Sequence, residues 1–173
     1  MINPLTLFSW NGNQDFCNRL ISVCRMSDKI FSFWQKWLLV VGIYLILFGL
    51  ALAFFNQSFL FDLLLNNQIN PIFWLSQPPL ESTQRFQAFV YGILGTTIAG
   101  WGVCLSFIIH YPFKQRKAWA WKCIVLAIAL WFVTDTAISL FFGVTYNALF
   151  NISFLLNFAI PLFATRKVFL RQS

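Results

Sequence analysis

The chain reads as an all-α integral membrane protein, a four-transmembrane-helix bundle with both termini cytoplasmic. Three features carry that reading. Apolar residues make up 59% of the chain and charged ones 10%, with a mean hydropathy of +0.70, and such a chain has too few charges to coat a soluble domain. Four apolar runs recur at lengths near the roughly 20 residues that a helix needs to cross the hydrocarbon. Every Lys and Arg except Arg85 clusters beside the ends of those runs, and threading the runs through a bilayer puts all these clusters on one side, as the positive-inside rule requires. The clustering also accounts for the net charge of +7 without nucleic acid as a partner, since no basic stripe and no binding module is present.

Residues 1–36 form a cytoplasmic N-terminal segment. From Phe16 to Trp37, apolar residues such as Leu20, Val23, Ile30, Phe33 and Trp37 recur at roughly helical spacing. This predicts an amphipathic helix on the bilayer surface, whereas residues 1–15 read equally well as a disordered lead-in. Met26 opens MSDKIFSFWQKW and is a second candidate start of translation. The four-helix transmembrane domain occupies residues 37–173. Its first span, Trp37 to Phe55, is apolar throughout. Ala51-Leu52-Ala53 resembles a signal-peptide cleavage site counted from Met26, but the apolar run passes beyond it and exceeds the usual h-region.

Residues 56–86 are the longest connection. Phe59 to Leu65 is apolar but too short to cross a membrane, and is expected in the interface or folded back over the helix ends, with Pro71, Pro78 and Pro79 interrupting any long helix. Asn56-Gln57-Ser58 matches the glycosylation tripeptide. In the second span, about 86–109, Ala88, Gly92, Gly95 and Ala99 recur every three or four residues and place small residues on one face, where a second helix backbone can approach closely. A basic turn, HYPFKQRKA, leads to the third span, about 119–142. His110 is read as an interfacial residue at a helix end. The uncharged Gly143-Val144-Thr145-Tyr146 makes the third span and the fourth, about 146–164, an antiparallel pair. Pro161 has no N–H for the carbonyl of Asn157, so a kink is expected there.

One polar constellation lies inside these runs. Asp135 sits about seven residues from the end of the third span, roughly 10 Å deep, where an Asp costs about 2.5 to 3.5 kcal/mol and is expected to face the bundle or a watery cavity. Trp131 and Ser139 share its face at i−4 and i+4. On the returning fourth span, Asn147 and Asn151 reach the same depth, and on the second span so do Tyr91, Thr96 and Thr97. Two readings stand side by side: an outward-opening pocket lined by these residues, or a hydrogen-bonded tie between Asp135 and Asn151 that fixes helix packing.

No metal or cofactor site is legible. The single histidine, His110, has no partner at ligand spacing, and Cys17, Cys24, Cys104 and Cys123 contain no C-x-x-C. The quinone-linked thiol oxidoreductases with four spans need a reactive cysteine pair at the membrane surface, and Cys104 and Cys123 fall inside apolar runs instead. With four short spans, cytoplasmic ends and a tight final hairpin, the chain resembles small bacterial membrane proteins of the DoxX-like kind. That resemblance covers layout, implies a four-helix bundle in the inner membrane, and carries no functional residue across. The outline is also similar to sterol-binding domains of the emopamil-binding kind, without their set of intramembrane acidic residues.

The function expected from these residues is binding or moving a small apolar molecule through an outer-side pocket, with Asp135 as its polar anchor and no catalytic set. The alternative is a non-enzymatic assembly subunit that meets a second copy or another membrane protein through the strip from Ala88 to Ala99. Beyond these, the lipid bilayer is the partner that the composition demands.

Overall fold

The computed structural model describes residues 7–74 and 80–170, with side chains described over 28–74 and 80–169. Expectations about the side chains of Cys17 and Cys24, about Pro78 and Pro79 and about Arg171 lie outside the described residues. All the described elements are helical: α1 (Leu7–Phe55), α2 (Phe59–Phe61), a π-helical turn (Asp62–Asn66), α3 (Asn67–Trp74), α4 (Glu81–Ile108), a second π-helical turn (Ile109–Phe113), α5 (Ala118–Phe141) and α6 (Thr145–Leu170). Four stretches are long and apolar enough to cross a membrane: Asp28–Phe55, Glu81–Phe113, Ala118–Phe141 and Thr145–Phe169. Their outward faces carry residues such as Val40, Leu47, Phe89, Leu126, Leu130 and Phe163, each more than 60% exposed, so these helices are apolar outside as well as at their contacts. The backbone of α1 runs without a break from residue 7 through 55, so residues 7–36 and the first span form one continuous helix.

The four long helices associate as two pairs. α1 packs chiefly against α4, α5 against α6, and the pairs meet mainly along α1 and α6. Small residues make the first seam. A Cβ on Gly49 would fall 2.5 Å from the amide nitrogen of Ala99 and the carbonyl oxygen of Gly95, and one on Gly95 would fall 2.5 Å from the same backbone atoms of Ala53 and Gly49. The two backbones are therefore in direct contact, which gives dispersion energy that lipid cannot match. The contact continues through Gly102 against Ile46 and Gly42 against the Ser106 hydroxyl. Of the strip expected from sequence, Gly95 and Ala99 lie at this seam and face α1. A Cβ on Gly92 would meet only the carbonyl oxygen of Ala53, at an ordinary 3.9 Å, and Ala88 contributes a backbone oxygen to Asn56.

An aromatic and aliphatic core joins the pairs, running from Phe31, Phe113 and Phe169 at one end through Leu38, Ile124 and Phe158. Pro161 lies inside α6, and the carbonyl of Asn157 that it leaves without a helical donor accepts the Trp37 indole N–H from α1 at 3.3 Å. The Asn157 amide bonds its own preceding turn at Ser153. Pro112 likewise falls in the second π-helical turn, where the buried Gln35 reaches the carbonyl of Ile109 at 3.5 Å. His110 is in that turn, its ring edge-on to Tyr111.

The turns after α4 and α5 close alike. Lys117 N–H bonds the carbonyl of Pro112 and Arg116 N–H that of Phe113; Val144 N–H bonds Ser139 and Gly143 N–H bonds Leu140. Both are Schellman motifs with a left-handed residue at the turn. Gly143, at φ +74°, takes that conformation freely, whereas Arg116 takes it at φ +60° with a side chain. Arg116 pairs with Asp28 of α1 and lies over the Phe31 ring, 4.9 Å from its centre, contacts that offset the backbone strain.

Candidate functional site

Two polar clusters stand at the end of the bundle away from the Arg116 turn, one on each helix pair. The first is centred on Asp135. Asp135 Oδ2 accepts Asn147 Nδ2 at 3.0 Å and Asn151 Nδ2 at 2.6 Å. Asn147 also donates to Ser139 Oγ at 2.8 Å, and Ser139 in turn donates to the backbone carbonyl of Asp135 at 2.7 Å. Thr136, which the sequence did not single out, accepts from Asn151 at 3.2 Å. Asn151 is 1% exposed. Donors and acceptors here close on one another within the α5–α6 hairpin, which is how buried polar side chains tie two helices together.

The other residues expected beside Asp135 lie elsewhere. Trp131, one turn away, packs its ring edge-on to Phe154 and against Trp101. Thr96 and Thr97 both donate to the carbonyl of Ile93 on their own helix. Tyr91 belongs to the second cluster, because α4 pairs with α1 and not with α5.

That second cluster lines a cavity of about 390 Å³, within the range of ligand sites. Three elements build it. The end of α1 brings Asn56 and Gln57. The folded-back connection brings Asp62, Asn66 and Asn70, and one face of α4 brings Gln84, Gln87 and Tyr91. Gln87 Nε2 is the hub: Asn66 Oδ1, Asn70 Oδ1 and the Tyr91 hydroxyl all lie within 3.0 to 3.3 Å of it. Asn66 Nδ2 donates to Asp62 Oδ1 at 2.7 Å, and the buried Asn56 donates to the carbonyl of Ala88 at 3.2 Å, fastening the end of α1 to α4. The connection has one polar face toward the cavity, made by Asp62, Asn66 and Asn70. Its outer side is largely apolar, with Phe59, Leu60, Leu63, Ile72 and Phe73 40 to 81% exposed, and also carries the exposed Asn67 and Gln68. Such an element suits an apolar environment outside and a wet chamber within.

The sequence did carry this signal. Asp62, Asn66 and Asn70 are spaced by four, and Gln84, Gln87 and Tyr91 by three and four, the spacings of one helical face. Among the described residues, no group of three or more His, Cys, Asp or Glu is placed to hold a metal. Cys104 and Cys123 are free, exposed thiols. A further cavity of about 400 Å³ lies between α1 and α6 among Tyr44, Phe150 and Phe154 and is largely apolar. Comparisons with protein-family models, with curated proteins and with solved structures find no match for this chain. The DoxX-like likeness therefore rests on layout alone.

Proposed function

We propose that this chain is a multi-pass membrane protein that binds a small molecule in the amide-lined cavity between α1, the folded-back connection and α4, with both termini cytoplasmic and the cavity at the outer face. The observation that carries this reading is the connection's polar face: Asp62, Asn66 and Asn70 meet Gln84, Gln87 and Tyr91 of α4 around a chamber of ligand size, while most of the connection's large apolar side chains are exposed. The orientation is supported by the basic residues at the opposite end, Lys114, Arg116, Lys117, Lys122, Arg166 and Lys167.

The cavity is favoured over Asp135 as the binding chamber because its amide lining borders a volume of ligand size, whereas the bonds of Asp135 Oδ2, Asn147 and Ser139 run between the two helices of one hairpin, with Asn151 buried among them. In this reading Asp135 is a strut of the α5–α6 hairpin, and the ligand is polar where it meets the protein. The test is ligand-induced thermal stabilisation of the purified protein across a chemically broad panel, with Gln87→Leu and Asp135→Leu beside wild type. The expected result is a shift that Gln87→Leu loses and Asp135→Leu keeps. A shift lost in Asp135→Leu and kept in Gln87→Leu returns the site to Asp135.

A further inference from the structure

Resting on that reading of the cavity, we infer that its ligand is a neutral, hydroxyl-rich group: a sugar, either free or as the headgroup of a lipid. The lining sets the class. Asn56, Gln57, Asn66, Asn70, Gln84 and Gln87 are carboxamides, each with a donor end and an acceptor end. A partner for such a wall offers many donors and acceptors at close spacing, which is the property of a hydroxylated ring.

Charge excludes the simpler alternatives. Among the described residues, no Lys or Arg lines the cavity, and the nearby Arg85 pairs with Glu81 at 2.8 Å on the outside of α4. An anionic ligand would find no counter-charge, only the Asp62 carboxylate. A metal cation calls for several anionic ligands, and among the described residues Asp62 is the single acidic side chain of the lining. Hydroxyl groups can enter such a network, donating to Asp62 and accepting from the amide N–H groups, without dismantling it. The exposed Phe59, Leu60 and Leu63 beside the chamber give the acyl chains of a lipid-borne sugar an apolar surface to follow.

The experiment uses the full chain in nanodiscs. Four additions are compared: a monoglucosyl diacylglycerol, free maltose, phosphatidylglycerol and tetramethylammonium. Each is titrated against wild type, Gln87→Leu and the milder Tyr91→Phe, reading melting temperature and apparent affinity. The expected result is stabilisation of wild type by the glucosyl lipid or by maltose, with affinity weakened about tenfold or more in Gln87→Leu, the loss of roughly one polar anchor, and less in Tyr91→Phe. A response to the glucosyl lipid alone identifies a lipid headgroup, and a response to maltose alone a free sugar; both support the inference. If phosphatidylglycerol or tetramethylammonium produces the variant-sensitive shift and neither sugar does, the ligand class is overturned while the cavity stands as the binding site. If no addition distinguishes wild type from either variant, both the class and the cavity reading are overturned.

Discussion

The two helix pairs are held by opposite means. Between α1 and α4 the closest approach is backbone on backbone, with Gly49 and Gly95 so close that neither tolerates a Cβ. Between α5 and α6 the hairpin is tied by side chains, with one carboxylate oxygen accepting two asparagine amides. Each pair also carries a polar cluster, and these differ in the same sense. In the Asp135 cluster, one carboxylate oxygen and two asparagine amides bond across the hairpin, whereas the cluster around Gln87 surrounds open volume. Bonds made across a hairpin give their energy to folding. A cluster that borders open volume leaves room for a guest beside its internal bonds.

The largest expected effect breaks the first pair. Gly95→Leu drives a side chain into the backbone of Ala53 and Gly49, and a clash against main chain has no rotamer to relieve it, so the loss should exceed about 3 kcal/mol. Unfolding in mixed micelles should show it, together with loss of ligand response, because the cavity is built on α1 and α4. Next comes Asp135→Leu, which leaves Asn147 with Ser139 and Asn151 with Thr136 as their remaining acceptors. It should cost about 2 kcal/mol by the same assay while ligand affinity stays as in wild type. Gln87→Leu should invert that pattern, with a stability loss of only about 1 kcal/mol, since water in the cavity replaces the lost bonds, and a large loss of binding. The smallest effect is expected of Asp135→Asn. Both amides bond one oxygen, Oδ2, and the asparagine carbonyl can take its place, so the change should stay below about 1 kcal/mol. A loss as large as that of Asp135→Leu would show that the carboxylate itself, and not its geometry, holds the hairpin.

The same contrast explains what could be read in advance. The Asp135 cluster was legible because a short turn at Gly143 fixes both the direction and the depth of the returning helix, which brings Asn147 and Asn151 level with Asp135. Tyr91 was set at that depth too, but depth is all that the apolar runs of a sequence encode. Which side of α4 faces which neighbour depends on packing, and the small residues of α1, Gly42 and Gly49, draw α4 to that helix instead. The amide cavity went unread for another reason. Its residues are split across a helix end, a connection with a π-helical turn and the first turns of α4, so no single periodic segment displays them. The connection's Phe and Leu residues also point to the interface and hide the polar side.

The unbroken backbone of α1 has a mechanical meaning. Asp28, paired with the Arg116 turn, and Asn56, pinned to the carbonyl of Ala88 at the cavity, are joined by unbroken helix, Asp28 lying within α1 and Asn56 directly after its last residue, roughly 40 Å apart at 1.5 Å per residue. A continuous helix of this kind is a spacer of fixed length, so the distance between the Arg116 turn and the carbonyl of Ala88 is set by the count of residues between them and not by any loop.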